Sequence, residues 1–294
     1  MDVFSRDFEG CKAKIIQRAL EAFKDDLGDG DMTTAAVFKE NPVVRAVVIA
    51  EGGSILAGVL EARAILENGG ITVTGRSDGE AVKEGQKVLK LEGQLSEILA
   101  RERVSLNYLA RMSGIATLSK GLCDEYGPRV MFLRKTDPGL LLSEKRAVAL
   151  GGCLPHRLNL SDGILIKDNH IDQLAKKLGR KKAIRLALSR ADDYRGDADL
   201  LIEVEVETPQ EAEVAARELK EMRGPKAILF DNMSAADVKK AARAVKQTDK
   251  KIIIEASGGI DESNIADYLR AGADYVSTSM FLSARPCGFK LEMQ

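Results

Sequence analysis

The stretch DGILIKDNHI, Asp162 to Ile171, runs apolar through Ile164, Leu165 and Ile166 and then turns at once into Lys167, Asp168, Asn169 and His170. No Gly or Pro marks an ordinary turn, so these polar residues sit where a buried strand ends. A lysine, an aspartate and one of the chain's two histidines at such a point could bind an anion or move a proton. For His170 the plainer use is to cap the element that follows. The same texture recurs along the second half of the chain. RVMFL runs into Arg134 and Lys135, LIEVEV carries Glu203 and Glu205, and KAILF runs into Asp231 and Asn232. KIIIEA runs into Ser257, Gly258 and Gly259, and DYV into Ser277, Thr278 and Ser279.

Helical stretches separate most of these strands: LLSEKRAVAL, QLAKKLGRKKAIRLALSR, TPQEAEVAARELKEM, SAADVKKAARAVKQ and DESNIADYLRAG. Thr208-Pro209 and Ser234 suit helix starts, and Gly272 suits a helix end. Strands alternating with helices predict a parallel sheet, and periodicity alone fits a barrel as well as an open sheet. The polar strand ends favour the barrel, which gathers its strand C-termini around one mouth. Residues 1 to about 110 read differently. A helix over Cys11 to Lys24, the loop DDLGDGDMTT, short Gly-punctuated strands and a helix over SEILARERVSLNYLARM make this half α+β.

At a barrel mouth, Arg134, Lys135, His156, Arg157 and Lys167 would form an anion site, with the arginines able to grip carboxylates or phosphates by two hydrogen bonds. Singly, each could be a solvated surface charge. Glu205 and Asp231, on neighbouring strands, could stabilise a developing cation, hold Mg²⁺ or bind sugar hydroxyls, or be neutralised by nearby lysines. Glu203, Glu205 and Glu207 share one face by strand alternation, which leaves the choice among them open. Ser257-Gly258-Gly259 could bring backbone N–H groups close to a phosphate, although neither a GxxxxGK[ST] nor a GxGxxG pattern is present. Together these groups suit a phosphorylated sugar paired with a carboxylic acid.

Lysine plus arginine and aspartate plus glutamate nearly cancel, to a formal net charge of −1 over 294 residues. That balance and the 4% aromatic content disfavour nucleic-acid binding. Cys11, Cys123, Cys153 and Cys287 form no CxxC pair, so reduced thiols in a soluble, cytoplasmic protein are expected rather than a zinc site. No membrane span is expected, and the acidic start MDVFSRDFEG is unlike a signal peptide.

ERVSLNYLARMSGIAT, RKTDPGL, GGCLPHRLNLSDGILIKDNHI, IEVEVET, FDNM and IEASGGI occur in the order seen in quinolinate phosphoribosyltransferases, which the chain resembles over nearly its whole length. DLGDGDMTT and AEGGSILAG are similar to that family's N-terminal domain. The resemblance implies an N-terminal α+β sandwich domain over 1–110 and an incomplete α/β barrel over 111–279, with the segment 280–294 packing back on the first. It implies transfer of phosphoribosyl from phosphoribosyl pyrophosphate to quinolinate with Mg²⁺, giving nicotinate mononucleotide, pyrophosphate and CO₂. A homodimer with shared active sites, or an oligomer of such dimers, goes with it.

Position by position, the resemblance assigns the quinolinate carboxylates to Arg134, His156, Arg157 and Lys167, and to Arg103 reaching in from a partner subunit. Lys135, Glu205, Asp231, Ser257 and Gly258 match groups around phosphoribosyl pyrophosphate and its metal, with Glu205 and Asp231 as the metal's carboxylates. Leu133, Leu141, Cys153 and Pro155 depart from the family pattern. So does Ser279, where a glycine is usual; its side chain would crowd the 5′-phosphate or offer it a hydroxyl. LPHRLNLSD also resembles the molybdenum-transport-associated ModD proteins. That leaves a paralogue acting on another carboxylated ring, or a non-catalytic barrel binding a phosphorylated metabolite, as alternative readings.

Overall fold

The computed structural model describes residues 3–294. In chain order the first elements are α1 (Lys12–Leu27), α2 (Met32–Val37), β1 (Val43–Ala50), β2 (Ser54–Ile55), α3 (Val59–Asn68), β3 (Thr72–Gly75), β4 (Ala81–Val82), β5 (Lys87–Gln94) and α4 (Leu95–Tyr126). There follow β6 (Val130–Phe132), α5 (Leu141–Gly151), β7 (Ile164–Ile166), α6 (Asp168–Leu178), α7 (Arg180–Arg195), β8 (Ile202–Val206) and α8 (Pro209–Lys220). The last are β9 (Lys226–Asp231), α9 (Ala235–Thr248), β10 (Ile253–Ser257), α10 (Ile265–Ala271), β11 (Tyr275–Thr278) and β12 (Phe289–Met293).

These elements pack as two units. One gathers residues 6–127, 135–153 and 281–294 around an antiparallel sheet of order β12-β1-β5-β3. The alternation of KVLKLEG buries Val88, Leu89 and Leu91, which meet Ile98 and Leu109 of α4 and Val48 of β1 in one core. α4 is longer than its sequence pattern suggests: it continues through Gly114 and Gly121 for 32 residues. Gly114 is needed there because a Cβ would sit 2.2 Å from the carbonyl oxygen of Arg285. The tail that follows forms β12, which pairs antiparallel with β1 through Ala46 and Met293.

The other unit holds the residues up to Ser5, then 128–134 and 154–280. Its six strands form one parallel sheet of order β6-β11-β10-β9-β8-β7. β6 and β7 are its edges, so this α/β barrel is incomplete. Each strand expected from sequence is there. Thr208 and Ser234 cap α8 and α9 by accepting from the N–H groups of Glu211 and Asp237, and Gly272 ends α10 in the left-handed region. QLAKKLGRKKAIRLALSR, expected as one helical stretch, is two helices split at Gly179, whose φ of 75° a continuing helix does not allow.

The packed units differ from the expected division at residue 110. All of α4 and the whole 135–153 stretch, including α5, belong with the antiparallel sheet rather than with a continuous 111–279 barrel. The cause is close backbone packing, since a Cβ on Gly151 of α5 would lie 2.3 Å from the Ala116 carbonyl oxygen of α4. The barrel in turn takes in Phe4, which packs with Met131, Leu154, Leu201 and Ala227. Leu201 and Ala227 lie at the starts of β8 and β9, so this cluster seals the floor opposite the strands' C-terminal ends. No helix among the described residues is long and apolar enough to cross a membrane.

Gly114→Ala should lower the stability of the full chain by about 1–3 kcal/mol, the usual result of forcing an extra carbon into a packed backbone contact. Urea denaturation checks this, and an unchanged midpoint would show that the tail does not depend on that approach.

Candidate active site

The barrel interior carries charge. Parallel alternation points Glu203 and Glu205 of β8 inward, together with Glu255 of β10. Glu203 and Glu255 are 1% and 0% exposed, and His156 at 3% joins them. The His156 Nε2 donates to Glu203 Oε2 at 3.2 Å and lies 3.3 Å from Glu255 Oε2. The ligand atoms of the three residues lie within 4.8 Å of one another, a spacing that would also suit a metal ion.

Two buried carboxylates cannot both ionise freely beside one another. Burial works against the charged imidazole, yet Glu255 and Glu203 outweigh it and push His156 up to about 9. Glu203 is pushed up to about 7, first by burial and then by the charge of Glu255, with His156 pulling the other way. For Glu255 burial acts upward, but the His156 charge prevails and holds it below the usual carboxylate range. The cluster thus settles as an imidazolium with one firmly ionised carboxylate. His156 takes a φ of 51° to reach this position, a conformation rare outside glycine although less so for histidine.

Nearer the strand ends stand further charged groups. Arg157, 7% exposed, donates to the Gly163 carbonyl oxygen at 3.1 Å. Burial lowers its pKa first, and the neighbouring charge of exposed Arg134 lowers it further. Glu203 and Asp162 act the other way, and an anion bound beside these guanidinium groups would do the same. Glu205 is buried while Asp231 is half-buried. Burial raises the Glu205 pKa; the charge of Lys167 lowers it, and those of Asp231 and Asp168 raise it again. Lys167 Nζ lies 3.5 Å from Glu205 Oε2 with its own side chain half exposed.

His170 is not aimed at this mouth. Its Nδ1 accepts the Lys167 backbone N–H at 2.9 Å, which caps α6 and fixes the point where Lys167 leaves β7. Ser257 is buried and its carbonyl oxygen accepts the Asn232 N–H at 2.9 Å. Gly258, with φ of 89°, leaves room for Asn232, because a Cβ there would lie 2.3 Å from Asn232 Oδ1. Ser279 is exposed, just past Thr278, whose Oγ1 donates to the Ile260 carbonyl oxygen at 2.7 Å.

Lys135 is exposed at the start of the 135–153 stretch, and Arg103 is exposed on α4; both belong to the other unit. Arg103 contrasts with Arg101 two residues earlier, which is buried, bonded to Glu97 at 2.5 Å and stacked 4.4 Å over Phe23. The departure Cys153 is buried as well, with its thiol pushed up to about 12 by burial, so it is an inert packing residue. The four cysteines are free thiols.

His156, which the resemblance assigns to the quinolinate carboxylates, has its Nε2 edge held by Glu203 and by Glu255. Glu255 lies inside the apolar run KIIIEA and is a partner that spacing alone does not reveal. A lone glutamate in a buried parallel strand was the signal available.

The cluster has a pH signature. A histidine whose folded pKa stands at about 9, against 6.5 unfolded, adds stability that is complete below about pH 6.5 and lost as pH rises through about 9. The chain should therefore lose up to about 3 kcal/mol between pH 6.5 and 9.5 through this group. In His156→Gln the decline should be shallower when both are followed by denaturant unfolding. Parallel curves would show that His156 is not charged in the fold.

Comparison with known proteins agrees with this geometry. Residues 31–113 match the quinolinate phosphoribosyl transferase N-terminal domain, and residues 115–292 match the C-terminal domain of the same family. A protein of Methanothermobacter thermautotrophicus is 34% identical over 283 residues, covering 93% of this chain and 97% of its own. The chloroplastic nicotinate-nucleotide pyrophosphorylase (carboxylating) of Arabidopsis thaliana is 34% identical over 272 residues, 87% of this chain and 76% of its own. Among solved structures, NadC from Streptococcus pyogenes superposes with a TM-score of 0.83 at 31% identity, over 99% of both chains. The chain belongs to the quinolinate phosphoribosyl transferase family.

Proposed function

We propose that this chain transfers phosphoribosyl from phosphoribosyl pyrophosphate to quinolinate, releasing pyrophosphate and CO₂ and giving nicotinate mononucleotide for NAD biosynthesis. The observation that carries this reading is the set of charged groups at these strand ends. Arg157 feels the charge of Arg134, Glu205 feels those of Lys167 and Asp231, and Lys167 Nζ lies 3.5 Å from Glu205 Oε2. The arginines and Lys167 suit a ring with two adjacent carboxylates. Neutralising both would hold the ring nitrogen toward the sugar, which is largely a proximity effect.

Attack by the ring nitrogen on C1 breaks the bond to pyrophosphate, and the electron pair leaves with the phosphate oxygen. The sugar passes through oxocarbenium-like character, which Glu205 and Asp231 would offset electrostatically. The positive ring nitrogen then stabilises the electron pair left on the adjacent ring carbon as CO₂ departs, and that carbon takes up a proton from solvent water to give the C–H of the product. Glu205 and Asp231 offer hard oxygen donors beside a site for an anionic sugar and fit Mg²⁺, which would neutralise the leaving pyrophosphate. Ser257, Gly258 and the exposed hydroxyl of Ser279 would serve the phosphates, and Lys135 the phosphoribosyl pyrophosphate.

Arg103, exposed on α4, would complete the acid pocket of a partner subunit in a homodimer. A cytoplasmic location suits the free thiols.

Pyrophosphate and CO₂ should appear in equal amounts from phosphoribosyl pyrophosphate, quinolinate and Mg²⁺. Arg103→Ala and Lys167→Ala chains should each be nearly inactive, and mixing them under subunit exchange should restore up to about a quarter of the activity, as expected for shared sites in a symmetric dimer. Silence of the folded wild-type chain would assign the pocket to another acid, and no recovery on mixing would rule out the shared site.

A further inference from the structure

The N-terminal residues do something that the reaction scheme does not use. Phe4 is fully buried in the barrel, although the chain joins the other unit from Arg6 onward. Its ring stacks on His156, with centroids 5.3 Å apart and planes 22° apart. The edge of Tyr275 meets the same ring at 5.2 Å and 76°. Met131, Leu154, Leu201 and Ala227 pack around Phe4, and Leu154 lies only two residues before His156. The aromatic plate and the backbone that delivers the imidazole therefore share one anchor.

We infer that Phe4 is a positioning residue of the acid pocket: its ring, fixed in the barrel floor, sets the plane of the His156 imidazole while Glu203 and Glu255 hold the Nε2 edge. Hydrogen bonds along one edge leave a ring free to tilt about that edge, and a stacked neighbour removes this freedom. The aromatic face also suits a cationic imidazole better than an aliphatic side chain of similar volume does. A filler of the floor would need only bulk. The near-parallel stack and the left-handed backbone at His156 both point to a ring held at a chosen angle. This inference rests on the proposed function only where it concerns quinolinate.

Phe4→Leu, with Phe4→Met as a second variant should the first not fold, removes the ring and keeps most of the volume. The chain has two histidines, so imidazole ¹H–¹⁵N spectra report His156 directly once His170→Gln has assigned the other signal. In the folded variants the His156 ring-proton signals should shift away from their wild-type, ring-current-displaced positions. KM for quinolinate should rise about five- to tenfold, the range of one lost aromatic contact, while KM for phosphoribosyl pyrophosphate and kcat stay within about twofold. Unmoved His156 signals in a folded variant would overturn the inference. So would an unchanged quinolinate KM in an active one. A His156 imidazole ¹⁵N pattern that changes by more than loss of the Phe4 ring current accounts for, in a protein that never turns over quinolinate, would uphold the positioning role and reject the proposed substrate instead.

Discussion

Two carboxylates face each other inside the barrel, and everything around them answers that fact. Glu203 and Glu255 point inward because they occupy alternate positions on strands whose other face must meet helices. An unpaired buried charge is very costly, so the interior must supply a cation and a shared proton. His156 supplies both, at the expense of a left-handed backbone. With the imidazole drawn down between the glutamates and lying against Phe4, the next residue, Arg157, remains near Arg134. The cationic side of the mouth is thus a consequence of how the interior is neutralised.

One strand shows how position along a barrel sorts identical side chains. Glu203, Glu205 and Glu207 stand at alternate positions with the same chemistry. Glu203 meets His156 in the interior and Glu205 meets Lys167 at the mouth. Glu207 is exposed and pairs with Arg180 at 2.7 Å on the barrel's outer rim. Depth decides the role: the deepest is held by His156, the outermost is a solvated ion pair worth little, and the middle one faces a half-exposed lysine that a substrate can take over.

Much of this was legible in the sequence, and the limit has a physical cause. Strand ends, helix caps and the capping use of His170 are local, set by a few neighbouring residues, and they came out as read. Depth is not local. Spacing says that Glu203 and Glu205 face the same way but not which is nearer the floor, and nothing near His156 in sequence announces Glu255 or Phe4. The start MDVFSRDFEG reads as acidic and polar, yet its Phe4 is core. α4 runs on through Gly114 and Gly121, residues that look like breakers; Gly114 serves instead as a point of close backbone approach to Arg285.

The central claim is that the cations at the strand ends are built for two carboxylates. Calorimetric binding of quinolinate and of nicotinate to the wild-type chain, and to Arg134→Ala, tests it most directly. Quinolinate should bind at least about tenfold more tightly than nicotinate, since a further charge-assisted hydrogen bond is worth roughly 1.5–3 kcal/mol, and Arg134→Ala should erase most of that advantage. Equal affinity for the two acids in the wild-type chain would mean that the mouth does not read a second carboxylate, and the account of the site would be wrong.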